Sequence, residues 1–205
     1  MAAIVVLGAA GRTGQLIVEE ALRAGFEVTA AVRSPAAFPD GVRVVNADVR
    51  DADSLTEVVR GQDAVVSAIG APGRKAGNLY SDGARATVAA MREAGVDRYL
   101  AITSVGVRPD DPHLSWWYRR LIRPIGRDLY ADMARLEEIV RASRLDWTFV
   151  RPTYLRDSPS GGAYRVTDNS APEHGWKIAR VDVARFIVGE VREHRWSHRA
   201  PSLAE

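Results

Sequence analysis

Two hydrophobic periods take turns along this chain. Short apolar runs rich in β-branched residues occupy 2–8, 27–33, 42–46, 63–70, 98–103 and 146–151, each the length of a strand. Between them, 13–25, 51–61, 79–95, 128–143 and 180–194 carry apolar residues at helical spacing. Gly25, Gly61 and Gly95 stand at the ends of three of these helices, and Asp51 stands near the start of the one that Gly61 ends. Strand and helix in regular alternation predict an α/β fold: a doubly wound, mainly parallel sheet with helices on both faces. Two stretches break the alternation. Residues 104–126 hold three prolines and a dense aromatic and basic cluster, and 157–172 are glycine-rich and read as a hairpin region. No internal repeat or linker divides the pattern. Residues 1–205 are therefore expected as one domain, with 104–126 and 153–178 forming a small lobe on the substrate side.

The first strand ends in Gly8-Ala9-Ala10-Gly11-Arg12-Thr13-Gly14, and a helical pattern follows at once. Strand, tight glycine turn and helix start are the order that a dinucleotide pyrophosphate site requires, which makes the expected fold Rossmann-type. Gly8 permits the turn, Gly11 lets backbone N–H groups approach the phosphates, and Gly14 lets helix and strand pack closely. Ala10, Arg12 and Thr13 complete the turn, and the helix N-terminus adds a positive dipole end. The second strand ends at Arg33-Ser34-Pro35. An NAD site usually places an acidic residue there for the ribose 2′-hydroxyl. An arginine at that place suits a 2′-phosphate instead, through charge-assisted hydrogen bonds, with Arg12 offered from the turn. Asp48 and Val49 are placed to meet the adenine edge, and Asp48 serves equally well as a cap for the next helix. Ligands of such sheets bind outside the carboxyl ends of the strands. Gly8, Arg33, Asp48, Gly70, Ser104 and Pro152 all fall on that edge.

Composition removes several classes of function. The chain has no cysteine, which excludes disulfides, a thiol nucleophile and zinc–cysteine sites. Its four histidines show no metal-ligand spacing, so no metal is expected. The formal net charge is only +2 with mixed signs, which does not point to nucleic acid. No apolar run is long enough to span a bilayer and no signal-peptide layout opens the chain, so the expected compartment is the cytoplasm.

Further motifs join the glycine turn and Asp48-Val49. They are Val66-Ser67-Ala68-Ile69-Gly70, Thr103-Ser104, Leu145-Asp146-Trp147-Thr148-Phe149-Val150-Arg151-Pro152, and Ile178-Ala179-Arg180-Val181-Asp182-Val183-Ala184. With them the chain resembles the atypical short-chain dehydrogenase/reductases of the NAD(P)H-binding family, in particular the biliverdin-IX-beta reductase and flavin reductase type. The resemblance spans nearly the whole length. It implies NADP(H) as cofactor and a flavin, FMN or FAD, as a substrate. It also implies that Ala68, Ile69, Gly70 and Thr103 line the cofactor, that Ser104 sits near the nicotinamide, and that Pro152 follows the last strand beside it.

One departure matters. Most dehydrogenases of this superfamily use a Tyr with a Lys four positions later, the lysine lowering the phenol pKa for proton exchange. None of Tyr80, Tyr99, Tyr118, Tyr130, Tyr154 and Tyr164 has that lysine. In the family pattern the lysine falls near Met133, which neither donates a proton nor bears charge. Hydride transfer to a stacked planar acceptor needs no such pair, because the acceptor delocalises its own charge. Ser104 would orient the carboxamide or the acceptor, or simply cap a turn.

The expected acceptor pocket lies near His113-Leu114-Ser115-Trp116-Trp117-Tyr118-Arg119-Arg120. Trp116 and Trp117 offer stacking faces, or anchor a loop in the core or against a second subunit. His113 reads either as a proton donor or as a surface histidine. Arg74, in the loop after the fourth strand, covers the phosphates or the acceptor if it acts at all, and Tyr154 roofs the pocket or packs beside it. The leading expectation is an NADPH-dependent reductase of a small planar acceptor: flavin first, tetrapyrrole or quinone next. A non-catalytic NADP(H)-sensing or interaction protein is the alternative. A sugar-nucleotide epimerase or isoflavone-type reductase stands third, weakened by the missing pair. A monomer and a homodimer fit the sequence equally.

Overall fold

Eight strands form the main sheet of the computed structural model, which describes residues 1–71, 73 and 76–205. In chain order the elements are β1 (Ala3–Leu7), α1 (Arg12–Arg23), β2 (Glu27–Val32), β3 (Val42–Asn46), α2 (Ala52–Val59), β4 (Ala64–Ser67) and α3 (Leu79–Ala94). There follow β5 (Arg98–Ile102), α4 (Arg127–Arg141), β6 (Asp146–Pro152), β7 (Tyr154–Arg156), β8 (Arg165–Asp168), β9 (Lys177–Ala179), α5 (Arg180–Glu193) and β10 (Pro201–Ala204). The spatial order is β3-β2-β1-β4-β5-β6-β10-β8. Every pair is parallel except β10 with β8. This is the doubly wound dinucleotide-binding order, whose direction reverses between β1 and β4. The fold is Rossmann-like, as the alternation of strand and helix predicted.

Burial explains why the strands read as unbroken apolar runs. In β1, Val5 and Leu7 face one core with Leu55, Met91, Tyr99, Leu136 and Phe149. Ile4 and Val6 face the other core with Ile17, Val18, Leu100 and Ile187. Side chains alternate across the pleat, so a strand covered on both faces is apolar at every position. The helix α1 buries Gly14, Ile17, Val18 and Ala21, one stripe at helical spacing. Asp51 caps α2 by accepting from the backbone N–H groups of Asp53 and Ser54. Asp48 does not cap that helix; its Oδ1 accepts from Arg50 N at 3.0 Å in a local turn.

Three parts differ from the sequence expectation. The hairpin over 157–172 does not form. That segment contributes β8, whose antiparallel partner is the C-terminal β10. Strand β10 joins the sheet beside β6 although Pro-Ser-Leu-Ala shows no strand periodicity; position, not pattern, recruits it. Finally, 104–126 is not wholly irregular. Short helical turns occupy Val105–Val107, Tyr118–Ile122 and Arg123–Gly126. The ring of Tyr130 organises them: a Cβ on Gly106 would lie 2.6 Å from it and one on Gly126 3.0 Å from it. A small separate sheet pairs β7 with β9.

Candidate functional site

The glycine turn closes at the reversal point of the sheet. Gly8 has φ +73°, and a Cβ there would lie 2.9 Å from the carbonyl oxygen of Ala68. A Cβ on Gly14 would lie only 2.3 Å from Gly8 O. Both positions therefore accept nothing larger, and the start of α1 is held against the ends of β1 and β4. The cleft above them has a volume of about 480 Å³. Its walls bring together Gly8, Ala10, Gly11, Arg12 and Thr13 of the turn with Arg33 and Ser34 after β2, Val49 after β3, Ala68, Ile69 and Gly70 after β4, and Thr103 after β5.

Other candidate residues lie elsewhere. Gly14 acts beneath the cleft through packing, Asp48 faces its own turn, and Pro152 is paired with β10. Ser104 follows the cleft wall; its Oγ accepts from Gly106 N at 3.1 Å, which leaves its proton free to donate. His113 lies outside the cleft lining, with Nδ1 at 2.7 Å from Ala171 O. Trp116 is 70 % exposed and Trp117 43 %. Tyr154 is exposed and stacks on Trp176, whereas its neighbour Leu155 faces the cleft. Arg74 lies outside the described residues.

The lining also contains residues that the sequence did not propose as site residues, among them Leu79, Tyr80, Ile102, Met133, Leu155 and Arg180. Met133 thus stands in the cleft wall, where the family pattern would have its lysine. Tyr80 is the second residue of α3, and its hydroxyl accepts from Ala71 N at 3.2 Å. Burial raises the Tyr80 pKa; the Ala71 N–H works against that rise and the Asp132 charge adds to it. The phenol is therefore neutral at physiological pH. The titratable side chains lining the cleft among the described residues are Tyr80 and three arginines, Arg12, Arg33 and Arg180. Such a wall favours an anion and offers no general base.

Two buried carboxylates shape this wall from behind. Asp132 accepts from Tyr80 N at 2.8 Å and Ser81 Oγ at 2.6 Å, which satisfies the first turn of α3. Glu137, fully buried, accepts from Thr103 Oγ1 at 2.8 Å and Arg151 Nε at 2.9 Å, and pairs with Arg141 at 2.8 Å. Arg151 in turn donates to Asn169 Oδ1 at 2.8 Å. Sequence could have flagged both acids, because they sit beside the apolar stripe Met133, Leu136 and Val140 of one helix. In the 104–126 segment Asp111, also buried, accepts from His113 N, Ser170 Oγ and Ala171 N, and so ties the loop after β5 to the loop after β8.

Among the described residues no helix is long and apolar enough to cross a membrane, and no three His, Asp or Glu side chains are grouped to hold a metal ion. Comparison with known proteins follows the same direction as the geometry. An uncharacterized chloroplastic protein of Arabidopsis thaliana is 31 % identical over 92 % of this chain and 69 % of its own. An uncharacterized sugar epimerase of Bacillus subtilis is 25 % identical over 75 % of this chain and 68 % of its own. The crystal structure of a Streptococcus pneumoniae protein described as an NADH-flavin reductase covers all of both chains at 26 % identity, with a TM-score of 0.78. The match to the NAD(P)H-binding family runs over residues 8–194, and the chain belongs to that family of oxidoreductase- and epimerase-like proteins.

Proposed function

We propose that this protein is an NADPH-dependent reductase of a planar acceptor, a flavin in the first place and a tetrapyrrole or quinone next. The observation that carries the reading is the cleft itself: a glycine cradle, arginines on its rim, and Met133 in place of a proton-handling lysine. The residues fit the coenzyme. The turn from Gly8 to Thr13 offers backbone N–H groups at the N-terminus of α1 for the diphosphate. Arg33, exposed at the end of β2, meets the 2′-phosphate together with Ser34. Aliphatic walls from Ile102, Met133 and Leu155 suit the nicotinamide end and a flat acceptor laid beside it.

When bound, the coenzyme would supply a hydride; this chain supplies alignment and a positively charged wall. Ser104, next to Thr103 of the wall, would offer its O–H as a hydrogen-bond donor to the carboxamide or the acceptor. Epimerisation of a sugar needs a group that removes and returns a proton, and the described lining holds none. The test is to mix the full chain with NADPH and FMN and follow the nicotinamide absorbance band. Enzyme-dependent oxidation of NADPH supports the reductase. Tight NADPH binding without turnover on flavins, quinones or bilins replaces it with a coenzyme-sensing protein.

A further inference from the structure

A second cavity of about 400 Å³ adjoins the nucleotide cleft, and both are lined by Arg12 and Arg180. Asp157, just past β7, joins these two residues. Its Oδ2 lies 2.9 Å from Arg12 Nη1 and its Oδ1 lies 2.9 Å from Arg180 Nε. One carboxylate thus spans two guanidiniums with one oxygen each, as a phosphate group does. Arg180 is only 8 % exposed, and among the described residues its Nε has no hydrogen bond of good alignment; the contact to Asp157 is an ion pair alone. Arg12 and Arg180 are also the first residues of α1 and α5, so two helix N-termini add positive potential at this point. At the bridge itself two guanidiniums face the single carboxylate of Asp157, while Glu19, which also lines the second cavity, is paired with Arg23 at 3.2 Å. The Arg12 and Asp157 side chains are 72 % and 64 % exposed, and an ion pair so hydrated is held weakly and exchanged readily.

We infer that Arg12 and Arg180 form a diphosphate clamp on which Asp157 sits as an internal anion, and that the coenzyme displaces Asp157 on binding. The inference rests on the nucleotide reading above and adds to it a binding residue, Arg180, and a competing side chain. The test titrates NADPH and NADH separately into the full chain by nicotinamide fluorescence. Both coenzymes carry the diphosphate, so Arg180→Ala raises both Kd values by the same factor, about 10- to 100-fold. Arg180→Lys, which keeps the charge without the fork, gives an intermediate loss. Asp157→Asn removes the internal anion and lowers both Kd values by about threefold or more.

If the unaltered protein binds neither coenzyme, the functional reading itself fails. If it binds NADPH but Arg180→Ala stays within about twofold of it, only the clamp is overturned. Weaker binding in Asp157→Asn also overturns it, since the carboxylate is then a structural strut. A rise in KM for FMN but not for riboflavin, with both coenzyme Kd values unchanged, overturns it by assigning the anion to the acceptor.

Discussion

Replacing Glu137 by Gln tests how the cleft wall is held. Glu137 is fully buried and faces Arg151, itself 3 % exposed, through a two-pronged pair. The substitution leaves the Arg151 charge buried without its counter-ion. Removing one partner of a buried pair costs about 3–5 kcal/mol. The amide oxygen still accepts one bond and Asn169 keeps another, so the lower end, about 3 kcal/mol, is expected. By contrast Arg141→Ala removes a partner that is 38 % exposed, whose ion pair contributes about 1 kcal/mol or less and whose stacking over Trp147 and Phe149 adds about 0.5–1 kcal/mol, so its loss should stay below that of Glu137→Gln. Urea unfolding followed by circular dichroism measures both. A double substitution, Glu137→Leu with Arg151→Met, removes both charges and should be less destabilised than Glu137→Gln alone. A Glu137→Gln loss below about 1 kcal/mol, or a double variant worse than the single one, refutes the reasoning.

Three further outcomes follow from the structure. Arg33→Ala should raise the Kd for NADPH about 10- to 100-fold and leave that for NADH nearly unchanged in fluorescence titration; equal effects on both remove the 2′-phosphate assignment. Gly14→Ala sets a helix-propensity gain of about 1 kcal/mol against an overpacking cost of about 1–3 kcal/mol, because its Cβ would meet Gly8 O at 2.3 Å. Melting should therefore drop modestly while NADPH binding, which needs the turn unmoved, falls more than about tenfold; unchanged affinity contradicts the cradle. Burial alone would raise the Asp146 pKa, but hydrogen bonds from Ser197 and His194 and the charges of Arg98 and His194 hold it below the ordinary carboxylate value. Its stabilising contribution is thus present above about pH 4 and lost as pH falls through the lowered folded value, so Asp146→Asn should differ from the unaltered protein near neutrality and converge with it in acid. A constant stability gap down to about pH 3 contradicts that linkage.

Much of this architecture is legible along the chain because local and global signals agree. The central strands β1, β2 and β4 are almost wholly apolar and buried, and Gly25, Gly61 and Gly95 punctuate the helices. The glycine turn is legible for a stronger reason: at Gly8 and Gly14 an added Cβ would lie within 3 Å of backbone atoms, so any other residue forces the turn to shift. What pattern could not reveal depends on distant partners. Strand β10 is four residues long, starts with proline and is a strand because β6 and β8 flank it. The pairing of β7 with β9 joins segments of three residues each. Arg180 lay inside a recognised motif, yet its place in the cleft wall follows only from where α5 begins. Tyr80 faces the cleft because a carboxylate fifty-two positions away, Asp132, fixes the first turn of α3. The exposure of Trp116 and Trp117 likewise comes from how the 104–126 segment wraps Tyr130, which no periodicity encodes.

The central claim is that the glycine cradle and the Arg33 guanidinium together recognise a phosphorylated dinucleotide. Calorimetric titration of the unaltered chain with NADPH and with NADH tests it most directly. The account predicts saturable heat with both and a Kd for NADPH at least about tenfold lower. No heat from either coenzyme, or tighter binding of NADH, contradicts it.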